Sequence, residues 1–315
     1  MSEHSHADRA VHTGLFCGLV GIDVIQLVDA PPGPDDKIVA RDQMVAAGGP
    51  ATNAAVAFAA LGGRAVLAAP VGRGPLAELV RTDLAACGVE LVDCAAPSGA
   101  GLLSVSSCTV TASTGQRAVV SGGGLGVADA SALLAWAHSE HGRRTGPDVV
   151  LIDGHYPVLA RTAVSLAQEW GSLTLMDAGS WKDAAADLPG ACDVVAPSAR
   201  FFPPGSRGLL TDPDDVMRWL QERGTAAVVL TRGPESVRWW CGAAPESSSG
   251  EVFPPAVDAI DTLGAGDVFH GALAWALAGT CRQGLTGEVL AAAVRAASAV
   301  AARSTTVFGT RAWRS

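Results

Sequence analysis

Lysine is almost missing. The chain carries 22 Lys and Arg together, yet Lys37 and Lys182 are its only lysines. No Gly-Lys-Ser or Gly-Lys-Thr occurs, which excludes a Walker-type phosphate loop. Tyrosine occurs once, at Tyr156, so few rings are on hand to stack a nucleobase. The seven cysteines (Cys17, Cys87, Cys94, Cys108, Cys192, Cys241, Cys281) form no CxxC pair and have no histidine cluster beside them. They read as reduced thiols of a cytoplasmic protein rather than as a zinc site or a disulfide framework. No apolar run reaches membrane-spanning length without glycine or charge. The start, MSEHSHADRAVHTG, lacks the apolar centre of a signal peptide and is expected to be a flexible tail over residues 1–13. Positive charge is also short: a net charge of −9 argues against nucleic acid or an anionic membrane as partner. A phosphate-bearing ligand would have to be met locally, by backbone amides or a few arginines.

What is there is apolar. With 49% hydrophobic and 17% charged residues in 315, the chain suits one large α/β domain, with or without a small appendage. LFCGLVGID, RAVLAAPVG, DVVLIDGH, SLTLMDAG, CDVVAPS and AAVVLTRG are nearly continuous apolar runs, as parallel strands covered on both faces should be. Between them lie helical segments: ATNAAVAFAALGG, AELVRTDLAACG, VLARTAVSLAQEWG, DDVMRWLQERG and TGEVLAAAVRAASAVAARS. Several end in glycine, a helix-stop signal. The β-α-β alternation predicts a three-layer, Rossmann-like α/β sandwich with its ligands at the carboxyl ends of the strands.

Two segments break the alternation. Residues 25–49 carry two proline turns, and residues 99–121 alternate β-branched and Ser/Thr residues around a Ser113-Thr114-Gly115-Gln116 turn. They read either as ordinary surface hairpins or, together, as a small β-sheet lid. Glycines at their ends (Gly48, Gly49; Gly99, Gly101; Gly122 to Gly124) suit hinges. The core is then 14–24, 50–98 and 122–315.

DTLGAGD, Asp261 to Asp267, stands directly before a long apolar helix. Helix N-termini leave amides unpaired and carry about half a positive charge. With almost no side chain on Gly264, Ala265 and Gly266, a phosphoryl group can come close to that backbone. Asp267 at the mouth can accept a proton from an attacking hydroxyl. A lone G-x-G-D reads equally as a tight turn with an N-cap.

A second stretch weighs on that choice. DTLGAGD resembles the C-terminal signature of the ribokinase/PfkB family of carbohydrate kinases, and GGPATNAAVAFAALGGRAVLAAPVG, Gly48 to Gly72, resembles its N-terminal signature. The two stand in the family's order and about two hundred residues apart, so the resemblance covers nearly the whole chain. LVGIDVIQLVD and FPPAVDAIDTLGAGD look most like the ketohexokinase branch; KIVARDQMVAAGGPA and DTLGAGDVFHGALAWALA look like sulfofructose kinase and related bacterial kinases. The resemblance implies a ribokinase-like fold with a β-lid and transfer of the γ-phosphoryl group of ATP to a sugar hydroxyl, with Mg2+ and in some members K+. It implies a homodimer joined through the lid. Residue by residue, Asp267 matches the catalytic base and Gly264, Ala265 and Gly266 the anion hole. Asp23, near the end of the first strand, and Asn53 match sugar-binding groups, and Gly48 and Gly49 the pair where lid meets core. Arg117 is the candidate for the ATP phosphates, and Arg41 for an anionic substituent on the sugar. VVLTRGPES resembles the nucleotide-binding turn, with Thr231 and Gly233 kept and Ser236 replacing the last glycine. Asp261 and nearby carbonyls would hold K+.

The sequence also departs from the family pattern. Where many members carry Asn-x-x-Glu to organise Mg2+, this chain has Ser198, kept as a nucleotide-side candidate with Gly264 and Gly266, and Phe201, so no direct metal ligand is named. After Val71-Gly72 the usual acid is replaced by Arg73, Gly74 and Pro75, which points to an unusual sugar. A nucleoside kinase of the same fold, and a ligand-binding protein with an inactive kinase site, stand as alternatives.

Overall fold

In a computed structural model of the chain, residues 11–97, 102–139, 146–204, 212–242 and 247–314 are described; of Pro213 and Asp214 only the backbone is. The predicted buried runs appear as parallel strands: β1 (Thr13–Cys17), β4 (Arg64–Ala69), β8 (Val149–Ile152), β9 (Leu173–Ala178), β10 (Val194–Pro197) and β11 (Ala227–Leu230). With β5 (Val89–Asp93), β12 (Val237–Cys241) and β13 (Ser248–Val252) they make a nine-stranded sheet in the order β13-β12-β11-β10-β9-β8-β1-β4-β5. Only the β11–β12 and β12–β13 pairings are antiparallel.

Helices cover both faces. On one side lie α1 (Pro50–Ala60), α2 (Pro75–Ala86), α7 (Ala265–Leu277) and α8 (Gly287–Ser304); on the other lie α3 (Ser131–His138), α4 (Pro157–Trp170), α5 (Leu188–Ala191) and α6 (Pro213–Gln221). Alternate residues of β1 serve the two cores: Phe16 packs on the first side, Leu15 and Cys17 on the second. This is the three-layer arrangement expected from the sequence. No helix among the described residues is long and apolar enough to cross a membrane.

The lid is a separate four-stranded sheet, β3-β2-β6-β7, made of β2 (Gly21–Val28), β3 (Asp42–Gly48), β6 (Ser104–Thr111) and β7 (Arg117–Ser121). The β6–β7 hairpin turns where Ser113 to Gln116 predicted it, closed by Thr111 and Gln116. Two boundaries move. LFCGLVGID is two strands, not one, because the chain turns at Gly18 and leaves the core sheet; a Cβ at Gly18 would overlap the Asp153 carboxylate. Asp23 therefore sits on β2 of this small sheet, a strand that begins at Gly21, four residues before the expected start at residue 25. Thr13, expected in the tail, belongs to β1. Residues 1–10 and the hinge glycines Gly99 and Gly101 lie outside the described residues.

Candidate active site

The site begins with the close crossing of α1 and α7. Gly271 makes that approach possible: a Cβ there would lie 2.3 Å from the Ala54 carbonyl. The crossing brings Asn53, in the second turn of α1, against Asp267, in the first turn of α7. Asn53 Nδ2 donates to Asp267 Oδ2 at 2.8 Å, across 214 residues of chain.

The start of α7 is glycine-rich and leaves backbone amides free. Gly264 is its N-cap in the left-handed region (φ 74°), a conformation that costs a residue with a Cβ about 1 kcal/mol or more. The N–H groups of Gly264, Gly266 and Asp267 take no hydrogen bond among the described residues, whereas that of Ala265 reaches the Thr262 carbonyl at 3.4 Å. Of the three residues expected to form an anion hole, Ala265 is thus the one already engaged. A Cβ on Gly266 would meet nothing within 4 Å, so protein packing does not account for a glycine there.

Burial, the nearby Asp177 carboxylate and Asp23 push the Asp267 carboxyl up to about 7, while the Asn53 amide and His270 pull it down. A base poised near neutral pH suits proton abstraction. His270, one turn further along α7, lies 2.9 Å from Asp177 Oδ2 by its Nδ1; both side chains are almost fully buried, and the contact lacks the alignment of a hydrogen bond. The imidazole is held above its usual range by Asp177 and then Asp267, against its burial.

The lid supplies the other wall. Asp23 lies against Gly48, where a Cβ would sit 2.0 Å from its carboxylate, and Gly49 takes φ 115° beneath the Leu19 carbonyl. A cavity of about 170 Å3 opens between Asp23, Gly48, Gly49, Asn53 and Asp267, lined also by Ser104, Ser106 and Ser121. Burial raises the Asp23 carboxyl, offset by Ser106 and Arg311. The hydroxyl of Ser104 is buried and without a partner among the described residues. These serines went unnoticed in the sequence, though the Ser104, Ser106, Cys108 alternation placed them on one face of β6. Asp153, another buried carboxylate that sequence reading missed, accepts from the Leu19 and Ala51 amides and so fixes the turn into the lid and the start of α1. Its carboxyl is held at about 2 despite burial, first by the His155 side chain and then by the His155 and Leu19 amides.

The expected nucleotide-side residues meet at the carboxyl ends of β10 and β11. Ser198 bridges Thr231, and its hydroxyl donates to Gly179. Gly233 adopts φ 65° in the following turn. Ser236, at the place of the family's last glycine, is tied into a cluster with Arg232 and Glu251. Arg117 reaches the loop before α7, 3.4 Å from Thr262 Oγ1, and that threonine also donates its hydroxyl to the lid carbonyl of Gly115. Arg41 is not brought in. It stands at the far end of the lid, mostly exposed and ion-paired with Asp29, because β3 only begins after it while Asp23 pairs with Ala46 near the strand's other end.

Phe201 is buried in edge-on contact with Trp181 and Trp219, so no acid stands where the family's magnesium-organising glutamate would be. Among the described residues no three His, Cys, Asp or Glu come together as a metal cage. Both carboxylate oxygens of Asp261, the expected K+ ligand, accept backbone amides, from Leu263 and Gly309.

A polar cavity thus lies between an α/β core and a small separate β-sheet, with Asp267 and Gly264 in its lining. The chain belongs to the pfkB family of carbohydrate kinases, whose family model matches residues 15–314; it is a phosphotransferase with an alcohol group as acceptor. Among solved structures, a ribokinase candidate from Agrobacterium tumefaciens is 26% identical over 96% of this chain and 94% of its own, with a TM-score of 0.77. The ribokinase from Giardia lamblia is 17% identical over 97% and 96%, TM-score 0.78. A fructokinase from Xylella fastidiosa, solved with bound ATP, is 20% identical over 96% and 94%, TM-score 0.68. The last two show a shared fold.

Proposed function

We propose that the protein transfers the γ-phosphoryl group of ATP to a hydroxyl of a small, uncharged sugar, a ketose or related furanose-forming carbohydrate. The observation that carries this reading is the meeting of Asp267, hydrogen-bonded by Asn53, with the unengaged amides of Gly264 and Gly266 at one helix start. In the transfer, the sugar hydroxyl gives its proton to Asp267, its oxygen bonds to the γ-phosphorus, and the bond to the ADP oxygen breaks. The amides of Gly264 and Gly266 face the charge on the transferred group. Asp23, Ser104, Ser106, Ser121 and Asn53 suit the hydroxyls of the sugar.

The sugar's charge follows from the cavity lining. Among the described residues, Asp23 and Asp267 are its only ionisable side chains, and no Lys, Arg or His lines it. An anionic substituent would meet two carboxylates and no cation, which argues against sulfonated or phosphorylated sugars and so against the sulfofructose kinase branch. At about 170 Å3 the cavity suits a monosaccharide.

ATP is assigned to the side of Ser198, Thr231 and Gly233, with Arg117 on its phosphates. Mg2+ would arrive on those phosphates and keep most of its waters; the described residues offer no cage for it. K+ activation through Asp261, a homodimer through the lid, whose outer face exposes Val45, Val105 and Val120, and a cytoplasmic location belong to the same proposal. The test is a panel of ketoses, aldoses, sulfosugars and nucleosides with ATP, reading ADP release. Turnover of neutral ketoses is expected; turnover confined to nucleosides or sulfosugars would overturn the reading.

A further inference from the structure

Asn53 uses both ends of its amide. Nδ2 donates to Asp267 Oδ2 at 2.8 Å, and Oδ1 accepts from Arg311 Nη1 at 3.2 Å. Only one orientation satisfies both contacts. Turned over, the amide would set its NH2 against a guanidinium and its oxygen against a carboxylate. Arg311 is itself held firmly, with 9% of its side chain exposed. Its Nε and Nη2 fork onto Asp83 Oδ2 at 3.3 and 2.9 Å, and Nη2 also donates to the Ala47 carbonyl at 2.5 Å. Asp83 accepts from the Ala47 amide at 3.0 Å as well. One guanidinium thus joins α2, the residue before the Gly48-Gly49 hinge, α1 and the C-terminal segment. That segment also holds the loop leading to the anion site, since Gly309 donates to Asp261 and the Thr305 carbonyl accepts from Ile260 and Asp261.

We propose that Arg311 is a positioning residue for phosphoryl transfer: anchored on Asp83, it fixes the Asn53 amide with its NH2 toward Asp267 and ties that orientation to the lid hinge at Ala47. The inference rests on Asp267 being the base. It does not make Arg311 a substrate ligand, because its donors are spent on Asp83, Asn53, Ala47 and Thr310. The groups facing Asp267 are Asn53 from α1, Asp177 from β9, His270 from α7 and Asp23 from β2. Of these, Asn53 is the one that Arg311 orients. Its hydrogen bond lowers the base's pKa, so an unfixed amide lets that pKa rise and moves the acid limb of kcat/KM to higher pH. Arg311 also acts by charge on Asp23, and the choice of variants must separate charge from geometry.

The experiment measures kcat, KM and the pH profile of kcat/KM for Arg311→Met, Arg311→Lys and Asp83→Asn, each alone and combined with Asn53→Ala, with thermal melts alongside. Lysine keeps the charge but cannot fork to two partners. We expect all three variants to move the acid limb upward, with kcat at neutral pH down about tenfold, the scale of one hydrogen bond to a charged group. In the Asn53→Ala background none should move it further. Should Arg311→Met fail to fold, Asp83→Asn, which keeps the volume and loosens the anchor, gives the same readout. A wild-type limb in Arg311→Lys and Asp83→Asn, or effects that simply add to that of Asn53→Ala, would overturn the inference. Full activity in Asp267→Asn would instead overturn the assignment of the base and leave the Arg311 network without this role.

Discussion

Asp267→Asn perturbs the centre of the account and separates function from stability. Asparagine keeps the shape and can still accept from Asn53, but it cannot take a proton. Loss of a general base lowers kcat by roughly 10²- to 10⁴-fold. Stability should move the other way. The carboxyl goes from an ordinary 3.8 to about 7 in the folded protein. Because the folded value is raised, proton uptake favours the fold below about pH 4, and this contribution is lost as pH rises through 7. Three pKa units are at most about 4 kcal/mol. Asp267 is partly accessible, so solvent screening brings the figure to about 1–3 kcal/mol. The variant should therefore melt higher than wild type at pH 8, by about 2–8 °C. The gap should narrow toward pH 5. Differential scanning fluorimetry across pH 5–8 reads it, next to a coupled ADP assay. Turnover within tenfold of wild type would refute the base, and a gap independent of pH would refute the raised pKa.

Gly266→Ala should leave stability unchanged or slightly raised, because a Cβ there meets nothing, yet lower kcat by crowding the phosphoryl group; melts and kinetics on one preparation check it. Gly264→Ala should cost about 1 kcal/mol or more in chemical denaturation from its positive φ, besides slowing turnover. Asp177→Asn removes a charge that raises the Asp267 pKa, so the acid limb of kcat/KM should move to lower pH, while His270, no longer held up by Asp177, goes neutral and costs about 1–3 kcal/mol in denaturant titrations. Arg117→Ala should raise the KM for ATP about tenfold or more and reduce its salt dependence, with the sugar KM unchanged.

The core was legible because its central strands are parallel and buried on both faces, leaving apolar runs such as VVLI or AVVL; β5, at the parallel edge, is VELVD and left none. The strands β12 and β13, at the antiparallel edge, gave no such run; VRWWC sets an arginine beside two adjacent indoles, and SSGEV is nearly polar. The split between β1 and β2 was hidden, since Gly18 and Gly21 interrupt a run that stays apolar on both sides. At the site, Asp267 and the glycines were marked by one helix start and Asn53 by the family resemblance alone; the structure brings Asn53 and Asp267 into contact. Arg311 and Asp83 were not. They meet across 228 residues of chain, and FGTRAWRS carries no period or motif to mark one arginine from the next. Arg41 was misplaced for the opposite reason: the sequence puts it close to Gly48, but the strand between carries it to the lid's far end.

The most direct test of the central claim is the structure of the protein with a non-hydrolysable ATP analogue and a phosphorylatable sugar. The account places the terminal phosphate within hydrogen-bond distance of the Gly264 and Gly266 amides, with a sugar hydroxyl between the phosphorus and Asp267. A closed lid over bound sugar with that phosphate held elsewhere would contradict it.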